Sequence, residues 1–250
     1  MNRKRVVPKI VLLGAFFIVG VVAMAPAAMA NHFFHWGERM YRVTITNATL
    51  GQPVAPSVIA THTDSFRLFE LGPTPAMGDP GYDVFLGIAT AAESGNPQVL
   101  NDAVDASNGV YETVVLATDN NPPILLPGES NSTTISAWGN ARFLSAAAML
   151  GKTNDAFYGV RSVPLPVKIG STIHVYADAY DAGSEANEES ADSVGGADGD
   201  GPGSMTINEN GEGYIFVHAG IHGVGGQDGL DPAIYDWRNP VVEMTITRIR

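Results

Sequence analysis

Four carboxylates stand where strand ends would gather them. Asp178, Asp181 and Glu185 come after a strand-like stretch, 172–177, in the run Asp178-Ala179-Tyr180-Asp181-Ala182-Gly183-Ser184-Glu185, and Asp155 closes the turn Lys152-Thr153-Asn154-Asp155. Carboxylates converging on one point repel each other, and their pKa values rise. A hard cation resolves that conflict. Ca2+ suits such a group because it accepts about six to eight oxygens in loose geometry, backbone carbonyls included. Asp155 also fits a reading with no ion, since Asn-Asp pairs open turns through bonds to their own backbone.

The other chemical candidates are thinner. His218 and His222 are four apart, the spacing that puts two zinc ligands on one helix face, but the segment His218-Ala219-Gly220-Ile221-His222 is Gly-containing and follows a strand. With no Glu between the two His, the zinc-protease pattern is absent. A metal-assisted hydrolase using His218 and His222 with Asp228 or Asp231 is the competing enzymatic reading; a structural or hydrogen-bonding role for the two His is the plainer one. Asp198-Gly199-Asp200-Gly201 starts like a calcium loop but lacks the third oxygen residue, Pro202 standing at the fifth position. His62 and His174 stand alone. There is no Gly-x-Ser-x-Gly elbow, no P-loop and no dinucleotide fingerprint after a strand. Trp138 and Trp237 could stack on a sugar, although aromatics at sandwich edges are more often packing residues.

The elements that must position these residues are mostly strands. Residues 41–47 alternate, with Tyr41, Val43 and Ile45 on one face, and 242–247 mirror them through Val242, Met244 and Ile246. Ile249 breaks that phase as a bulge would. Further strands are expected at 110–117, 132–137, 143–150, 172–177 and 214–218, with turn clusters such as Asn120-Asn121-Pro122-Pro123 between them. Two helices are expected, at 82–93 with Gly95 as its cap and at 97–103 with Pro97 in its first turn. Paired terminal strands and regularly spaced short strands predict an all-β antiparallel sandwich with short helical insertions. Residues 182–213 read as a long acidic, Gly-rich loop, most of its charges solvated.

Composition narrows the class. The 250 residues carry 14 Lys+Arg against 26 Asp+Glu, a net charge of −12, and no Cys. No Cys means no disulfide framework, no thiolate metal site and no thiol nucleophile. The acidic balance argues against nucleic acid, which needs a basic face. Half of the acid lies between Asp178 and Asp236, a stretch without a Lys or Arg. At the other end, Arg3, Lys4, Arg5 and Lys9 precede an apolar run and Ala28-Met29-Ala30, the three-part secretory pattern, with cleavage expected after Ala30. An uncleaved anchor is the alternative, because 10–30 is long enough to span a bilayer. Cleavage would remove those four basic residues and take the charge from −12 to −16. Residues 31–40 then form an N-terminal segment before the domain at 41–250.

Several ordered motifs resemble the spondin domain, the N-terminal domain of F-spondin and mindin, which has many short secreted bacterial relatives. Tyr180-Asp181-Ala182-Gly183-Ser184-Glu185 is similar to the family's Tyr-Asp-Ala-Gly-Thr-Asp/Glu motif, and Thr153-Asn154-Asp155-Ala156-Phe157-Tyr158-Gly159-Val160 to its Pro-x-Asp-x-Phe-x-Gly segment. The run from Thr61 and His62 through Phe66 to Leu68-Phe69 resembles the bacterial His-x-x-x-Phe-x-Leu-Phe segment, and Tyr235-Asp236-Trp237-Arg238-Asn239-Pro240 the bacterial C-terminal end. The resemblance covers 41–250. It implies a C2-like antiparallel β-sandwich holding one Ca2+, with Asp155, Asp181 and Glu185 as the matching ligands. Asp178 matches no ligand. Glu185 stands where animal members have Asp, and the absence of Cys departs from their disulfides.

The expectation is therefore a secreted calcium-binding β-sandwich, exported to the periplasm, the cell surface or the medium. It would serve as an adhesion or binding module for extracellular matrix, a cell-surface glycan or a lipid head group. A structural envelope component without a discrete ligand is the third reading. The step from fold to adhesion rests on fold-level analogy.

Overall fold

The computed structural model describes residues 37–190, 194 and 210–250. The signal-peptide assignment, most of the 31–40 segment and the middle of the acidic stretch, Asp198-Gly199-Asp200-Gly201 included, lie outside the described residues. No helix among those described is long and apolar enough to cross a membrane.

Ten strands dominate: β1 (Arg39–Asn47), β2 (Ser57–His62), β3 (Gly72–Pro73), β4 (Val110–Leu116), β5 (Ser130–Ala137), β6 (Phe143–Met149), β7 (Ala156–Pro164), β8 (Thr172–Asp181), β9 (Tyr214–Val217) and β10 (Val242–Arg248). Every strand pairing is antiparallel, in the order β4-β2-β6-β7-β8-β10-β1-β5, with β9 bridging β8 and β3. The terminal strands pair as their patterns predict, from Tyr41 opposite Arg248 to Asn47 opposite Val242. β8 joins the two halves of the sandwich. Its first six residues pair with β10, and Asp178 to Asp181 pair with β7.

Two apolar cores result. Between the sheets, Tyr41, Val43 and Ile45 meet Ala146, Ala148, Tyr158, Met244 and Ile246. The outer face of β2, β6 and β7 is covered by α1 (Tyr82–Ser94) and α2 (Gln98–Asp105), which bury Phe85, Ile88, Leu100 and Val104 against Val58, Ala147 and Phe157. A sheet buried on both faces shows no alternation. That explains why β2, buried at all six positions, was not legible as a strand. β7 went unread because its first residues belong to the Asp155 motif, which looks like turn sequence. A short α3 (Pro232–Tyr235) was also missed.

Two expectations need correction and one holds. β8 continues to Asp181, so Asp178 and Asp181 lie on the strand rather than after it. Past the regular pair of Tyr41 with Arg248, the Ile249 and Arg250 amides both donate to the Met40 carbonyl, at 2.8 and 3.3 Å, so two residues oppose one and Ile249 sits in a bulge as its broken phase predicts. The start of the acidic loop is packed, with Ala182, Ser184, Glu185 and Glu189 buried and Glu188 exposed. Glu189 is held there because its carboxylate accepts the backbone amides of His222, Gly223 and Val224 at 2.6–2.9 Å.

Candidate metal centre

Asp155 is placed by the β6–β7 turn. The Thr153 hydroxyl donates to the Leu150 carbonyl at 2.6 Å and accepts the Ala156 amide at 3.1 Å, closing the turn locally. Buried Gln52 clamps it from outside, accepting the Lys152 amide at 2.9 Å and donating to the Lys152 carbonyl at 3.1 Å. Asp181 comes in from the last position of β8, opposite Ala156 in register. Beyond it the chain must reverse. Gly183 does this with φ +68°, and its amide donates to Asp181 Oδ1 at 2.8 Å. A Cβ on Gly183 would stand 2.3 Å from the Tyr214 carbonyl oxygen, so residue type and site geometry are tied here.

The turn aims three donors at Asp155. Its Oδ2 accepts the Ser184 amide at 2.7 Å, the Ser184 hydroxyl at 3.1 Å and the Glu185 amide at 3.0 Å. Its Oδ1 is buried and has no hydrogen-bond partner. Asp155, Asp181 and Glu212 present carboxylate oxygens that all lie within 4.8 Å of one another, the one group of three metal-capable side chains found among the described residues. Glu212 Oε2 is buried without a partner as well. Glu185, expected in this group, is instead buried beside it: its amide serves Asp155 while its side chain falls outside the trio. Glu212 takes that third place from just before β9.

Electrostatics set Asp155, Asp181 and Glu185 against ionisation. Burial raises the Asp155 and Asp181 pKa values, and neighbouring charges reinforce it, Glu212 on Asp155 and both Asp155 and Glu212 on Asp181. Burial, then Asp155 and Glu188, push Glu185 to about 7. A fifth carboxylate, Glu93 in the last turn of α1, is 2% exposed. Its oxygens have no partner in hydrogen-bond geometry, and burial, partly offset by nearby Ser184, takes it to about 8.

His218 serves the site without being a ligand to it. Burial lowers its pKa to about 4. The neutral ring accepts the Gly220 amide on Nδ1 at 3.0 Å and meets Asn187 Oδ1 from Nε2 at 3.0 Å, so Nε2 is the donor. Asn187 then turns its amide group to Asp181 Oδ2 at 2.5 Å and to Glu212 Oε1 at 3.3 Å. Trp237 packs on the ring at 5.0 Å. His222 is exposed and lies off any helix, so the shared face that the zinc reading needs does not form. Asp231 caps α3 by accepting the Ala233 amide. Asp228 ends a 3-10 turn (Gly226–Asp228), and its side chain lies outside the described residues.

The remaining motif residues are structural. His62 is fully buried, with ring contacts to Phe66 and Phe143 and hydrogen bonds to the Thr63 carbonyl and the Ser145 hydroxyl. Phe66, Leu68 and Phe69 fill the core beneath the helices. In the C-terminal motif, Asp236 accepts the Ile221 amide and Asn239 accepts the Ala179 amide, tying the loop before β10 to the segment after β9 and to β8. No family model matches the chain, and no curated protein is significantly similar to it.

Glu93 carried a readable signal: it falls on the same helix stripe as Phe85 and Ala89, a Glu on an apolar face. Glu212 carried a fainter one, standing between Gly211 and Gly213 just before a strand. Its arrival beside Asp155 depends on the path of the chain after Glu185, which no local spacing encodes.

Proposed function

We propose that the chain is a secreted, Ca2+-stabilised β-sandwich of spondin type that works as an extracellular binding module. The observation that carries this reading is the orphaned Asp155 Oδ1, a buried carboxylate oxygen facing two further carboxylates with nothing to bond. An all-oxygen donor set suits a hard divalent cation, and Ca2+ tolerates a loose shell better than Mg2+ does. Asp155, Asp181 and Glu212 would hold the ion, with Glu185 and Glu93 adding negative charge close by. The ion would offset the mutual repulsion and pin the Asp181-Ala182-Gly183-Ser184 turn to the β6–β7 turn. The binding role, toward matrix, a glycan or a lipid head group, follows from the spondin resemblance.

Thermal unfolding of the mature chain with Ca2+ and with EDTA tests the ion. At 100 times its Kd the ion should add about 2.7 kcal/mol, roughly 5–10 °C in Tm for a domain of this size. Asp181→Ala should remove the response. An EDTA-treated protein with unchanged Tm, or a response to Zn2+ that Ca2+ does not share, would overturn the assignment. Adhesion of producing cells to matrix or glycan surfaces, with and without the protein, tests the binding role.

A further inference from the structure

The opposite end of the sandwich has a second feature, built from residues that take no part in the carboxylate site. β8 spans the two ends: Asp181 is its last residue and Thr172 its first, ten residues or about 30 Å of strand. At the Thr172 end, the β5–β6 turn, the β7–β8 loop, the start of β1 and the end of β10 enclose a cleft of about 440 Å3. That lies within the usual range of ligand pockets, about 300–1,000 Å3. Its walls are apolar, formed by Tyr41, Phe143, Leu165 and Val167 with Pro164 and Pro166 stiffening the loop. Three guanidiniums complete the lining: Arg39, Arg142 and Arg248.

The charge here is anomalous for so acidic a chain. None of the three guanidiniums pairs with an Asp or Glu side chain among the described residues. Arg39 donates to the carbonyls of Gly139 and Ala141, and Arg248 to the Val167 carbonyl and to the main-chain oxygen of the last residue, Arg250, so both are held in place by main-chain oxygens. Arg142 is exposed, its carbonyl accepts the Leu165 amide, and its guanidinium has no hydrogen bond or ion pair among the described residues. Glu38, just before β1, is paired with Arg250 at 2.5 Å. Val167, 80% exposed, and Ile169, 69% exposed, stand on the same loop. Apolar walls with unpaired, pre-oriented cations match a molecule with one greasy part and one anionic head.

We infer that this cleft binds a single-chain amphipathic anion, its acyl or aryl part against Tyr41, Phe143 and Leu165 and its carboxylate, phosphate or sulfonate head on Arg142 with Arg39 and Arg248. The inference is independent of the proposed ion site, because neither needs the other's residues.

Octyl phosphate is the probe, titrated into the intact mature chain by calorimetry in EDTA and again in Ca2+. Saturable one-to-one binding is expected in both conditions. Octanol and octyltrimethylammonium should bind at least about tenfold more weakly, and Arg142→Gln should weaken octyl phosphate by about tenfold while leaving Tm unchanged, since the Arg142 guanidinium has no partner among the described residues to lose. Octanoate tests whether a carboxylate head serves as well as a phosphate. Val167→Asp, at an exposed position, separates loss of the apolar wall from misfolding. The inference is overturned by no saturable binding at millimolar probe, by equal binding of octanol, by affinity indifferent to Arg142→Gln, or by attachment only to anionic vesicles and never to the monomeric probe.

Discussion

Asp155 and Asp181 cannot both be charged in their burial site without a partner, and that fixes how stability should depend on pH. In the ion-free protein, burial and mutual repulsion hold Asp155, Asp181, Glu185 and Glu93 above their ordinary values, Glu185 at about 7 and Glu93 at about 8 against a usual 4.5. The folded state then binds more protons than the unfolded one through this window, so stability falls as pH rises. In EDTA, Tm should decline from about pH 4.5 to about pH 8 and level off above. With Ca2+ the carboxylates are wanted ionised, so the gap between the Ca2+ and EDTA curves should widen over the same range. Glu93→Gln removes one buried charge and should raise EDTA-state stability at pH 8.5 by on the order of 1 kcal/mol. A flat EDTA curve across pH 4.5–8.5 would show that these groups titrate normally.

At the scale of elements, the site depends on where two strands stop. β8 delivers Asp181 and then reverses through Gly183, while β7 starts one residue after Asp155. Gly183 and Gly170 are both left-handed, with φ +68° and +82°, but only Gly183 is crowded: a Cβ at Gly170 meets nothing within 4 Å. Gly170→Ala should therefore cost only its backbone strain, about 1 kcal/mol. Gly183→Ala should cost about 2–4 kcal/mol and blunt the Ca2+ response, because the turn that aims Ser184 and Glu185 at Asp155 would have to move. Denaturant unfolding of the pair in EDTA and in Ca2+ reads both effects. Equal costs at the two glycines would mean that the Tyr214 contact carries no weight.

For the whole molecule, the last strand is an interior one. β10 lies between β8 and β1 and supplies Val242, Met244 and Ile246 to the inter-sheet core, all with no exposure. The sheet cannot close until the C-terminus arrives, although β1 is made first. A chain ending at Pro240 leaves β1 and β8 each with an open edge and the core without three side chains. Such truncation should abolish cooperative unfolding by circular dichroism, while removal of Ile249 and Arg250 alone should leave it. The two ends of β8 also divide the chemistry, with carboxylates at one and guanidiniums at the other.

The sequence by itself determined the class of fold, the pairing of the terminal strands and two of the three clustered carboxylates, Asp155 and Asp181. These are properties of local pattern: alternation along a half-buried strand, helical spacing with a Gly cap, and an acid beside a turn. β2 and β7 were hidden because burial on both faces erases alternation, and a motif that looked like turn sequence became the start of a strand. Only the tertiary structure decided that Glu212 rather than Glu185 faces Asp155 and Asp181, that α1 sends Glu93 toward them, and that Arg39, Arg142 and Arg248 share one cleft. Each of those groupings joins residues tens to hundreds of positions apart, and the proximity comes from sheet register and loop path, which no short window of sequence contains.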